Sequence, residues 1–135
     1  MHRTRIVKAI LIGAGLVAMA IGGALLLVPH ALYASYGVTL GGDASQLSEI
    51  RAQGGALLAS GLLIASGAFI SRLAFTSALL ASILYLSYGT SRLIAMGLDG
   101  MPASGLVQAT ALEIVIGFLC LFAVLQLTAA RPVTG

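Results

Sequence analysis

Apolar residues fall in four long blocks, separated by breaks that carry Asp43, Arg72 and Asp99. A helix needs about 20 predominantly apolar residues to cross a hydrocarbon core roughly 30 Å thick. The blocks at about 6–28, 47–70, 73–98 and 103–129 reach that length. Backbone polar groups cannot be left unpaired in lipid, so each block is predicted to be helical. The expected fold is therefore all-α, a single membrane domain over 1–135. Its architecture is an antiparallel bundle of four transmembrane helices.

The breaks sharpen this picture. Pro29 ends the first block, since proline does not continue a helix. Only Ser71-Arg72 separates blocks two and three, which predicts a tight hairpin there. Asp99-Gly100-Met101-Pro102 reads as a turn, with Gly for backbone freedom and Pro suited to a helix start. Arg131-Pro132 follows the fourth block. The one long connection, Pro29 to Gln46, contains His30-Ala31-Leu32-Tyr33-Ala34-Ser35-Tyr36, read as a short interfacial helix before a Gly41-Gly42-Asp43 loop. Tyr33 and Tyr36 suit a membrane interface. The first apolar run, about 20 residues, exceeds the roughly 7–15 of a cleaved signal, so a transmembrane helix is expected.

Composition narrows the function classes. Of 135 residues, 59% are hydrophobic and 8% charged, and the mean hydropathy is +1.07. A soluble domain carries about 25% charged residues, so a soluble enzyme, a disordered linker and a nucleic-acid binder all fit poorly. The net charge of +3 comes from a handful of cations rather than a basic face. Arg3, Arg5, Lys8, Arg72 and Arg131 fall on one side of the four-helix arrangement, and Asp43 and Asp99 on the other. By the positive-inside rule both termini are expected in the cytoplasm. In a bacterial host that means the inner membrane, with the long first loop facing the periplasm.

Charges within apolar helices cost about 2.5–3.5 kcal/mol each on insertion scales and are expected to pair inside the bundle. Arg92 lies six residues before Leu98, roughly 9 Å along the axis, and Glu113 eight after Gly105, roughly 12 Å. The two helices leave one turn in opposite directions, so Arg92 and Glu113 reach similar depths and are expected to pair. Gly105, Ala109, Glu113 and Gly117 recur every four residues, a small-residue face that lets helices approach closely. Tyr85, Tyr88 and Arg92 share one face of the third helix, where the phenols are positioned to join a network. On the second helix Glu49 and Gln53 share one face and Arg51, Gly55 and Ala59 another, with Ala52, Ala56 and Ser60 as a packing stripe between. Glu49, Arg51, Tyr85, Tyr88, Arg92, Asp99 and Glu113 form the candidate ligand-binding or buried polar cluster. Two readings stand: an ion-pair lock that fixes helix register, or an outward-facing polar pocket.

Other chemistry finds little support. His2 and His30, the only histidines, are expected on opposite sides of the membrane, which disfavours a histidine-held haem or metal. Cys120, the only cysteine, excludes an intramolecular disulfide and is expected to pack among its apolar neighbours. No Ser–His–Asp set assembles. No catalytic residue, metal or cofactor is assigned.

With these residues laid out, the chain resembles the bacterial membrane family called domain of unknown function 4345. The resemblance rests on Glu49-Ile50-Arg51-Ala52-Gln53-Gly54-Gly55, Tyr88-Gly89-Thr90-Ser91-Arg92-Leu93, Asp99-Gly100-Met101-Pro102 and Leu112-Glu113. It implies a four-helix membrane protein without an established activity. The functional expectation is a non-catalytic protein: an accessory subunit of a larger membrane complex, or a module binding a lipid or quinone-like molecule. The alternative is a small oligomeric proton-coupled transporter using Glu113, and a lipid-headgroup enzyme ranks last. Expected partners are membrane lipids, a larger complex or further copies of the chain.

Overall fold

The computed structural model describes residues 2–131, with the side chains of His2 and Arg3 outside the described set, as is Pro132. Five α-helices are present among these residues: α1 His2–Leu27, α2 Pro29–Ser35, α3 Ala44–Ser66, α4 Ala74–Asp99 and α5 Ser104–Ala129, with a single 3₁₀ turn at Ser71–Leu73.

Local chemistry sets the boundaries. Pro29 breaks α1 and then opens α2, where its missing N–H costs nothing. The second long helix starts at Ala44, not near Leu47. The Asp43 carboxylate accepts a hydrogen bond from the Gln46 backbone N–H at 2.9 Å, satisfying one of the otherwise unpaired donors of the first turn. It also ends at Ser66, well before Ile70. Gly67 packs so close to Ser77 that any Cβ there would overlap the serine side chain, and the chain turns through Gly67–Ile70. The hairpin expected at Ser71-Arg72 therefore comes earlier, and those two residues enter the 3₁₀ turn. Gly100, at φ +95°, stops α4 in a conformation that side chains disfavour.

Among the described residues three stretches are long and apolar enough to cross a membrane: Thr4–Leu27, Ser71–Asp99 and Ser104–Ala129. The expectation of four is met by three, because Gln46, Ser48, Glu49, Arg51 and Gln53 make the first turns of α3 too polar. Large apolar side chains such as Phe69, Phe118 and Leu125 cover the outside. These features mark a membrane protein.

The four long helices pack as two intimate pairs, α1 with α3 and α4 with α5, which meet each other more loosely. Buried positions follow a period of 3.5, as in left-handed antiparallel packing. On α1 they are Val7, Leu11, Ala14 and Ala18, and on α3 Ile50, Gly54, Leu57, Gly61 and Ile64. Glycines set the α1–α3 separation. A Cβ on Gly54 would lie 2.7 Å from Leu26 N and 2.8 Å from Gly22 O, and one on Gly61 2.8 Å from Gly15 O. The packing stripe is thus Gly54 and Gly61; Ala52 and Ala56 face outward, and Ser60 bonds back to Ala56 O. Among the described residues three side-chain hydrogen bonds join the pairs: Ser77 Oγ to Leu63 O at 2.7 Å, Tyr85 OH to Ala14 O at 2.5 Å, and Gln53 Nε2 to Tyr88 OH at 3.0 Å.

Candidate functional site

The 3.5-residue seam of α4 runs through Ala78, Ser82, Tyr85 and Gly89, and its next position is Arg92. On α5 it runs through Thr110, Gly117 and Cys120, with Glu113 at the position between. Both charged residues thus occupy core positions where the two helices face each other. Arg92 Nε donates to Glu113 Oε2 at 3.0 Å and Oε1 at 3.2 Å, and the side chains are 32% and 17% exposed. A half-wet pair of this kind is retained because neither charge is stable alone in the apolar interior.

Beside the pair lies a cavity of about 140 Å³, room for about five waters at ~30 Å³ each. Its two ends differ. Tyr33, Tyr36, Gln53, Tyr88, Arg92 and Glu113 form a polar collar at one end, interleaved with apolar Leu25, Leu32, Leu106, Ala109 and Leu112. Deeper in, Val17, Ile21, Leu57, Leu84 and Ile116 give an apolar wall. The short α2 roofs the collar, because Tyr33 and Tyr36 lie three apart and so share a face. Their rings meet edge-on with centroids 6.4 Å apart. Gly105 admits this roof: a Cβ there would stand 2.7 Å from Tyr36 Cα. Burial raises the Tyr36 phenol pKa above its ordinary value, partly opposed by the Arg92 guanidinium. Tyr33, Gln53, Tyr88 and Arg92 also line a wide-open groove that adds Ser87 and Ser91 of α4. Cavity and groove thus adjoin at the Gln53–Tyr88 hydrogen bond.

The structure brings together four of the seven candidate cluster residues, Tyr85, Tyr88, Arg92 and Glu113, around this cavity. The phenols do not join the ion pair as expected. Tyr85 donates to Ala14 O and Tyr88 accepts from Gln53. Arg51 is directed elsewhere, donating to Leu26 O among the last carbonyls of α1, groups that no later helical N–H satisfies. Glu49 is exposed on α3, and Asp99 is exposed at the end of α4. Tyr33 and Tyr36, read from sequence as membrane anchors, line the cavity instead. Their spacing on one face of α2, next to Leu32, was the available signal. His30 Nε2 lies 3.2 Å from Gly41 O, tying α2 to the following loop. Cys120 is fully buried in α5. Among the described residues no group of three or more His, Cys, Asp or Glu is placed to hold a metal, and every buried side-chain polar atom has a partner.

A family model described as a domain of unknown function (DUF4345) matches residues 6–124. The chain belongs to this family. No curated protein and no solved structure matches it significantly. Every residue lining the cavity, from Val17 to Ile116, falls inside the DUF4345 match. The cavity is therefore built wholly from the family domain.

Proposed function

We propose that the protein is a non-catalytic membrane module that binds a single-chain amphiphile, drawn from the surrounding lipid, between its two helix pairs. The observation that carries this reading is the one-ended polarity of the cavity. A headgroup meets the phenols, the amide and the ion pair, while the chain lies along the apolar wall. Ligand sites commonly combine an apolar lining with a few convergent polar groups.

In this reading α3 is a fourth span, packed along α1 with its polar first turns at the outer interface. Its 23 residues give roughly 35 Å at 1.5 Å per residue, enough to cross. Arg5 and Lys8 of α1, Arg72 of the 3₁₀ turn and Arg131 after α5 lie at one end of the bundle, and Asp43 and Asp99 at the other. That supports a bacterial inner-membrane protein with cytoplasmic termini and the cavity toward the outer leaflet.

The test is native mass spectrometry of the chain purified in nanodiscs, alongside Ala109→Phe, which places a ring in the cavity. A retained amphiphile that disappears in the variant is the expected result. An empty protein, or equal retention by both chains, overturns the reading. Co-purification of larger subunits with an empty cavity supports the accessory-subunit alternative.

A further inference from the structure

The Arg92–Glu113 geometry goes further than amphiphile binding. Glu113 is held by Arg92 Nε alone, with both carboxylate oxygens on that one nitrogen. Among the described residues the two terminal amino groups of Arg92 have no hydrogen-bond acceptor, and Arg92 lines both the inner cavity and the outer groove. The site therefore offers a planar pair of donors next to a carboxylate that cancels their formal charge. Tyr33, Tyr36 and Tyr88 add phenols without adding charge.

We infer, resting on the amphiphile reading above, that the site selects a neutral headgroup carrying a carbonyl over a carboxylate or phosphate headgroup. A carbonyl oxygen accepts from the Arg92 terminal N–H groups and meets no net charge. An anion at the same place meets Arg92 and Glu113 together, so attraction and repulsion largely offset. It still loses the hydration of its own charge in an apolar cavity, a loss that a neutral group escapes. Two membrane sources share the favoured chemistry, a quinone ring and an acyl ester. Either headgroup meets the polar groups of the collar, with its chain running along the apolar wall.

The experiment measures saturable binding to the full chain in phosphatidylcholine nanodiscs, taken as the part lost in Ala109→Phe. Four probes are compared: a decyl-substituted benzoquinone, monododecanoylglycerol, dodecanoate and dodecyl phosphate. At least one neutral probe is expected to bind about tenfold or more tighter than either anion, and the stronger of the two identifies the source. Glu113→Gln removes the cancelling charge and is expected to shift the neutral-to-anion ratio toward the anions by about tenfold or more. Saturable binding that favours dodecanoate or dodecyl phosphate in the native chain overturns the inference but leaves amphiphile binding standing. An unchanged ratio in a folded Glu113→Gln protein does the same. If that variant does not fold, the native ratio decides. No saturable binding by any probe overturns both readings.

Discussion

Gly54 and Gly55 are neighbours on α3 with opposite surroundings, and replacing each by alanine separates packing from helix propensity. A Cβ on Gly54 would lie 2.7 Å from Leu25 Cβ, 2.7 Å from Leu26 N and 2.8 Å from Gly22 O. Comfortable contacts between such atoms lie near 3.5–4.0 Å, so α1 and α3 must part by roughly 1 Å. Two of the three obstructing atoms are backbone and cannot rotate away. Overpacking of this kind costs about 1–3 kcal/mol. On Gly55 a Cβ meets nothing within 4 Å. Both substitutions share the propensity gain of about 1 kcal/mol, which therefore drops out of their difference. Cys120 supplies the assay: it is the only cysteine and is 0% exposed, so a thiol-reactive fluorophore reports unfolding during a thermal ramp. At about 4 °C per kcal/mol for a chain of this size, Gly54→Ala is expected to melt about 4–12 °C below Gly55→Ala. Equal melting temperatures, or Gly54→Ala as the more stable variant, would refute the close-packed α1–α3 seam.

Three further outcomes are expected. Arg92→Gln and Glu113→Gln each strand a charge and are expected to cost about 1–2 kcal/mol, discounted for the exposure of the pair. The double variant is expected to cost less than their sum, and a double-mutant cycle with no coupling would show that the pair does not act as one. Tyr85→Phe removes a buried hydrogen bond to Ala14 O and is expected to lower stability by about 1–2 kcal/mol in the same thiol assay; no change would discount this link between the helix pairs. The Tyr36 phenol is raised by burial, so the folded chain holds that proton more tightly than the unfolded one. Its contribution is full below the ordinary phenol value near 10 and is lost as pH rises through the higher folded value. A phenolate absorbance titration of the native chain minus Tyr36→Phe should place this ionisation above 10, and one at or below 10 contradicts the burial.

The helices were legible because their physics is local: apolar length, the stop at Pro29 and the turn at Gly100. The Arg92–Glu113 pairing was legible too, since two helices leaving one short turn bring residues at equal axial distance side by side. What escaped the sequence depends on neighbours that it does not name. Glycine spacing on α3 alone does not reveal that Gly54 faces Gly22 while Gly55 faces open space. Arg51 looked like a member of the polar cluster because the carbonyl end of α1, its true partner, has no side-chain signature. Tyr33 and Tyr36 carry the composition of interface anchors, and only the packing of α2 against α1 and α3, with Tyr36 beside Gly105 of α5, turns them inward. The polarity that sets α3 apart from the three apolar spans was visible in its first turns, although Asp43 starts the helix ahead of its apolar block and Gly67 ends it early.

The uneven placement of the three hydrogen bonds between the pairs has a mechanical consequence. Ser77–Leu63 and Tyr85–Ala14 stitch the halves together away from the collar, while Gln53–Tyr88 is the one such stitch at the collar itself. Each half is stiff, because α1–α3 is held at glycine contact and α4–α5 by its own close seam and ion pair. Opening the collar therefore asks for one amide–phenol exchange with solvent or ligand, a small cost, while the far end stays sewn. On the proposed amphiphile reading, the bundle would work as a clasp with its spine at Ser77, admitting headgroups of different girth without remaking either leaf.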